Sequence, residues 1–144
     1  MATIGFDCVG ALQFSFEDEF SSSPKINAIR VSNNDIANIL KNSKTQPLGI
    51  NNEDNFRISL AGIQEKTAFL KIKNKWYRPQ GTTPTSHIFK LPIGKIEHAG
   101  IDLQESLENE WLCLQIFKGF RLDIPNAAIE EFSGVKTLLS HVVT

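Results

Sequence analysis

The chain has 144 residues, 41% of them hydrophobic and 22% charged, which is typical of a globular protein with one modest core. Its 15 basic and 16 acidic residues form no basic cluster, so we expect no direct binding to nucleic acid. The chain has only two cysteines, which is too few for a disulfide framework. Its three histidines lack metal spacing, which argues against a metal site. It has no long apolar run, which argues against a membrane partner. We therefore expect a cytoplasmic protein.

The N-terminal third of the chain predicts a short αβ segment. Residues 8–16 alternate as a strand does, and a second short strand is expected around 26–31. A helix is expected near 34–43, because Ser32 to Asp35 offer N-cap side chains before an apolar pattern at helical spacing. The polar stretch 44–56 then predicts a boundary, which divides the chain into residues 1–50 and 51–144.

The second part of the chain is dominated by strand patterns. Strands are predicted at 66–72 and 76–79, joined by a turn at 73–75, and at 86–91. One long helix is predicted at 103–119, capped near Asp102. Two further strands, at 127–132 and 136–142, are joined at Ser133-Gly134. The predicted fold class is α+β, with a twisted antiparallel sheet packed against one long helix, as in the small lobe of a kinase.

A small-residue turn and a lone lysine suggest a phosphate site. Ala61-Gly62 precedes the strand at 66–72, and Lys90 lies inside the next apolar strand. Backbone N–H groups at such a turn can hold phosphates, and a lysine on a neighbouring strand can neutralise them. One glycine alone is a weak signal, so a further group is needed.

Glu110 supplies that group. At 100° per residue, an arc of about 80° on the predicted helix contains four apolar residues, with a tryptophan on its edge: Leu103, Leu107, Leu114, Phe117 and Trp111. Glu110 falls inside this arc, where a carboxylate is costly unless a cation meets it. Either the helix is rotated so that Glu110 reaches solvent, or Glu110 faces the sheet and pairs with Lys90. The second interpretation explains both unusual residues at once.

With these residues in place, the chain resembles the HipA family, the serine/threonine kinase toxins of bacterial toxin–antitoxin modules. The similarity runs from about residue 5 to about residue 139 and is carried by residues 7–11, 55–68, 84–92, 108–110 and 122–125. The combination of Ala-Gly-x-Gln-Glu-Lys with His-x-x-Lys-Leu-Pro is a specific signal of this resemblance.

The resemblance implies an ATP site and a regulatory serine. It places the phosphate-binding loop at residues 60–67 and makes Lys90, supported by Glu110, the nucleotide-binding lysine. The implied binding residues of this loop are Ala61, Gly62, Ile63, Gln64, Glu65, Lys66 and Thr67. Ser59 matches the serine whose autophosphorylation ejects the loop and silences the kinase.

The chain also departs from the family pattern. The catalytic loop Asp-Gly-His-x-x-Asn and the later magnesium-binding aspartate have no counterpart, and most of the family's N-terminal subdomain and its hinge are missing. Phosphoryl transfer needs these groups. We therefore expect no catalytic residue, weak or vestigial ATP binding, magnesium only with a large lobe, and no kinase activity from the chain by itself.

Three functional alternatives remain open. The chain is a small-lobe fragment of a HipA-like kinase, a subunit of a split kinase completed by a separately encoded lobe, or a non-catalytic module that binds an antitoxin or a kinase partner. The underside of the sheet should face the large lobe that this chain lacks, so we also expect self-association through this exposed apolar underside.

Overall fold

The computed structural model describes residues 26–43, 64–81, 83–96 and 100–142. The elements of these residues are, in chain order, β1 (Ala28–Val31), α1 (Asn33–Ser43), β2 (Lys66–Ile72), β3 (Lys75–Pro79), β4 (His87–Lys90), β5 (Gly94–Ile96), β6 (Ile101–Leu103), α2 (Ser106–Gly119), β7 (Ala127–Phe132) and β8 (Val135–His141). Six strands form one antiparallel sheet in the order β1-β3-β2-β4-β8-β7, and β5 and β6 form a separate hairpin. The combination of an antiparallel sheet with helices that the α+β prediction expected is confirmed.

Two tight hairpins fix the register of the sheet. The turn between β2 and β3 is made by Lys73 and Asn74, and the turn between β7 and β8 by Ser133 and Gly134. All four residues have positive φ, from 45° at Ser133 to 83° at Gly134. Two-residue turns of this kind match the right-handed twist of the strands they join. Both hairpins lie where the sequence predicted them.

Helix α1 covers one face of the sheet and closes the main core. Its buried residues Ile36 and Leu40 pack in a cluster with the large apolar side chains of five strands and of the segment after β4, namely Phe69, Trp76, Phe89, Leu91, Phe132 and Leu139. Ser32 and Asp35 begin the helix: the Asp35 amide donates to Ser32 Oγ at 3.2 Å, and the Ser32 amide donates to Asp35 Oδ2 at 2.8 Å. This reciprocal capping explains why the helix starts where the sequence predicted.

Helix α2 lies on the opposite face of the sheet. Successive side chains along a strand point to opposite faces, so Lys90 faces away from the side on which Phe89 contacts α1. Lys90 is ion-paired with Glu110 of α2, and Leu107 of the same helix is completely buried. The prediction of a sheet packed against one helix is therefore incomplete, since α1 and α2 cover its two sides.

The start of α2 differs from the prediction. Leu103 belongs to β6, where it pairs with Gly94 of β5, and the helix begins three residues later at Ser106. Gly94 has a φ of 85°, which favours glycine at this position of the hairpin. The apolar residues from Leu103 onward have helical spacing, but Leu103 itself lies in a short strand. Only its pairing with β5 shows that Leu103 is not part of the helix.

The first part of the chain joins the main sheet as far as it is described. Strand β1 pairs with β3, with Ala28 opposite Pro79. The predicted strand at 8–16 and the predicted boundary at 44–56 lie outside the described residues. Within the described ranges, neither helix is long and apolar enough to cross a membrane, and no group of three or more His, Cys, Asp or Glu residues is placed to hold a metal ion.

An exposed apolar surface was expected on the underside of the sheet, but the exposed apolar residues lie elsewhere. The large apolar side chains of the central strands β2, β4 and β8 are buried or half-buried, because helices cover both faces. The large exposed apolar residues of the described part of the chain lie mostly on α2 and just after it. This expectation was wrong about the place.

Candidate functional site

The predicted pair of Lys90 and Glu110 is present. The Lys90 ammonium, at the end of β4, donates a hydrogen bond to Glu110 Oε1 in the second turn of α2. The two side chains are 24% and 31% exposed, so the pair is partly screened from water but open on one side. A carboxylate here is satisfied by the cation that the sequence predicted, and the alternative in which Glu110 simply reaches solvent is wrong.

The backbone of Lys90 is held from the neighbouring strand. Its carbonyl accepts a hydrogen bond of 2.8 Å from the hydroxyl of Thr137, which is fully buried in β8. Because a buried hydroxyl needs a partner, this bond fixes the end of β4 and therefore the origin of the lysine side chain. Sequence reasoning missed Thr137, although a threonine within the apolar strand 135–139 is a recognisable signal.

Lys66 lies directly opposite Lys90 in the register of β2 and β4. Side chains at directly opposite positions of antiparallel strands project from the same face, and like charges at such positions repel. Glu110 offsets part of this repulsion. Two lysines and one glutamate therefore lie at this end of the sheet.

The residues just before β2 are tied to the segment after Lys90. Gln64 Nε2 donates to the Leu91 carbonyl at 2.8 Å, and the Leu91 amide donates to the Glu65 carbonyl at 3.0 Å. These bonds hold Gln64 and Glu65 close to the end of β4. The chain therefore enters β2 beside the end of β4, where Lys90 lies.

The first turn of α2 is attached to the sheet by two further contacts. Ser106 Oγ accepts a hydrogen bond of 3.0 Å from the Ile93 amide, and Glu108 forms an ion pair with Lys136 of β8. The hydrogen bond between Glu108 and Lys136 lowers the pKa of the Glu108 carboxyl and raises the pKa of the Lys136 ammonium. These contacts fix the rotation of the helix so that Glu110 points toward Lys90.

A cavity of about 470 Å³ lies beside the ion pair. Its polar lining comes from the segment before β2, from β6, from the β6–α2 connection and from α2: Gln64, Asp102, Glu105, Ser106, Asn109 and Glu110. Three of these residues are acidic, so the cavity itself repels phosphate. An anion would instead be attracted to the Lys66 and Lys90 ammonium groups.

The structure brings together part of the predicted site. Gln64, Glu65, Lys66, Lys90 and Glu110 lie at one end of the sheet, as the preceding bonds and register show. Thr67 is 5% exposed, and it projects from the opposite face to Lys66 because the two are adjacent in β2. The predicted residues Ser59, Ala61, Gly62 and Ile63 lie outside the described residues.

Comparison with known proteins defines the family. The fold combines a sheet that has a helix on each face with a lysine–glutamate pair between a strand and a helix. The family model described as the HipA-like C-terminal domain matches residues 58–142, which is more than half of the chain. The protein belongs to the family of HipA-like C-terminal domains.

A solved structure shares the fold. The chain is similar to a chain in the complex of HipA, HipB and operator DNA from the Shewanella oneidensis MR-1 toxin–antitoxin system, with a TM-score of 0.64 and 19% sequence identity. The match covers 96% of this chain and 30% of that chain. The protein therefore spans less than a third of the length of the chain that it matches.

Proposed function

We propose that the protein is the phosphate-binding half of a HipA-like serine/threonine protein kinase of a toxin–antitoxin system. In this proposal the sheet and α2 form a kinase-like small lobe, and the chain is inactive by itself. The observation that carries the proposal is the ion pair between Lys90 in β4 and Glu110 in α2. A strand lysine held by a helix glutamate is the device by which kinases aim the lysine at nucleotide phosphates.

The charges at this end of the sheet support an anionic ligand. Lys66 and Lys90 project from the same face of the sheet, and Glu110 is ion-paired with Lys90. A polyphosphate between the two ammonium groups would relieve their repulsion and form charge-assisted hydrogen bonds. ATP, as the bound group, would supply the phosphoryl group, while Lys90 binds its phosphates and Glu110 orients the lysine.

The loop and its neighbours receive separate roles. Residues 60–67 would cover the phosphates, and the bonds of Gln64 and Glu65 to Leu91 would keep this loop close to Lys90. Thr67 would support the strand rather than contact a ligand, because its side chain is buried on the other face. Ser59 would be the regulatory phosphorylation site. Magnesium would bind only with a large lobe that carries the missing aspartates.

Two alternatives follow from the incomplete catalytic machinery of these 144 residues. The chain could be one subunit of a split kinase in the cytoplasm, with the catalytic loop supplied by a second protein. It could also be a non-catalytic module that binds an antitoxin or a kinase partner. The first alternative keeps the Lys90 site functional, whereas the second does not require it.

Phosphorylation of the purified chain tests the proposal. The wild-type protein and the Ser59→Ala variant would be incubated with ATP and magnesium and analysed by intact-mass spectrometry. We expect no added phosphate in either protein, because neither a catalytic base nor the metal-binding aspartate is present in the sequence. A phosphate on wild-type Ser59 that is absent from Ser59→Ala would contradict the claim that this half-site is inactive.

A further inference from the structure

The side of α2 that faces away from the sheet is apolar. Within the helix only Leu107 is buried, whereas Leu112 is 53% exposed and Ile116 is 48% exposed. Phe120, directly after the helix, is 76% exposed. A helix that carries apolar residues on two opposite sides is usually covered on both. Here α2 packs on the sheet with one side and leaves an equally apolar side uncovered by the described residues.

These exposed residues form one continuous surface. The arc of about 100° opposite Leu107 contains one polar residue of the helix, Asn109 in its first turn. At 100° per residue, the apolar residues of this arc are Leu112, Cys113, Ile116 and Phe120. We call these four residues the outer face of α2. Phe117 extends this face on one side and is 47% exposed. Such contiguous apolar patches on a surface mark sites of association.

The charges on and around the outer face narrow the kind of partner. Residues 111–117 contain no charged side chain, so the face offers nothing to nucleic acid or to an anionic lipid surface. The formal net charge of the whole chain is −1, so two copies repel each other only weakly. An uncharged apolar face on a nearly neutral protein suits a second copy of the same chain.

The ends of α2 carry opposite charges. Glu105 precedes the helix, Arg121 follows it, and both are exposed. If two α2 helices pack antiparallel about a twofold axis near Cys113, Glu105 of each copy lies beside Arg121 of the other, and the helix dipoles oppose each other. We propose that the protein forms a symmetric dimer through the outer face of α2, with the two helices antiparallel. This dimer does not depend on the proposed nucleotide site.

Sedimentation equilibrium of matched variants tests whether this face is the interface. We expect the wild-type chain to sediment with twice its monomer mass of 16.1 kDa. Ile116→Glu places a charge in the interface and should raise the dissociation constant of the dimer at least about tenfold. Ile29→Glu is the control, because Ile29 is similarly exposed at 52% but lies in β1 at the edge of the sheet. A monomeric wild-type chain, or equal weakening by both variants, would overturn the proposal.

Charge exchange and cross-linking test the antiparallel geometry. Glu105→Arg and Arg121→Glu should each weaken the dimer, and the double variant should restore it. In a Cys8→Ser background, diamide should oxidise the two Cys113 thiols near the twofold axis to an intermolecular disulfide, with diamide taking up the two protons and two electrons. No recovery in the double variant, or a dimer in which Cys113 does not cross-link, would overturn the antiparallel arrangement.

Discussion

Lys90 of β4 and Glu110 of α2 form an ion pair that joins the sheet to this helix. Each residue would be out of place alone, since Lys90 ends a strand whose preceding residue is in the core and Glu110 lies on the sheet side of a helix. Burying either charge without the other is costly. The pair therefore helps to hold α2 against the sheet, and it fixes the position of the Lys90 ammonium at the end of the sheet.

Removing Glu110 should destabilise the fold more than removing a neighbouring glutamate. Glu110→Ala leaves the partly buried Lys90 without its partner, which should cost about 1–2 kcal/mol of the free energy of unfolding. Glu108→Ala breaks a more exposed pair, in which Lys136 is 53% exposed, and should cost less. Urea denaturation of both variants measures the difference. Equal losses would mean that the Lys90 pair adds no more to stability than the exposed pair.

A double-mutant cycle should isolate the interaction itself. Lys90→Met and Glu110→Gln each remove one charge with little change of volume, so each alone strands the other group. We expect the double variant to be more stable than the sum of the single losses predicts, with a coupling free energy of about 0.5–2 kcal/mol. Strict additivity would show that the two side chains do not interact in solution.

Stability should fall below neutral pH because of His87. Its ring shares a hydrogen bond of 2.8 Å with Ser86 Oγ and lies edge-on to His141, with a centroid distance of 4.9 Å. Burial, His141 and Lys71 lower the pKa of His87 below its usual 6.5. The unfolded chain therefore takes up the proton first as the pH falls through 6.5, so the free energy of unfolding is unaffected above that pH and decreases below it.

The His87→Gln variant measures this contribution. Urea midpoints at pH 8 and at pH 5.5 should differ less in the variant than in the wild-type protein, because the group that binds the proton in the unfolded state is gone. His141 is kept in both proteins, so that they differ only at position 87. An identical loss of stability on acidification in both proteins would assign the effect to other groups.

Local patterns in the sequence were sufficient for most elements, and long-range pairing was needed for the rest. The hairpins at Lys73-Asn74 and Ser133-Gly134 follow from turn residues between alternating strands. The start of α2 could not be found in this way, because Leu103 fits a helical pattern as well as its actual pairing with β5. The exposure of Phe117 could not be predicted either. Phe117 belongs to the apolar arc of the helix, but it lies near the helix end and is 47% exposed.

The candidate site was predictable where its residues were locally unusual. Lys90 in an apolar strand and Glu110 on an apolar arc each violate a local rule, and their pairing could be inferred from that. The position of Lys66 opposite Lys90 could not, because strand register depends on β2 and β4 meeting in the folded sheet. The covering of the other face by α1 likewise depends on contacts between distant parts of the chain.

Binding of ATP to the Lys90 site is the most direct test of the account. Ligand-observed NMR titration would compare the wild-type chain with Lys90→Ala and with Lys95→Ala, whose lysine is 58% exposed in β5 and bonded to Asp102. We predict millimolar affinity for the wild-type chain, or roughly −4 kcal/mol, because the proposed function assigns it only the phosphate-binding half of a kinase site. Lys90→Ala should weaken binding further, while Lys95→Ala should not. Unchanged ATP affinity in Lys90→Ala would contradict the assignment of Lys90 as a phosphate-binding residue.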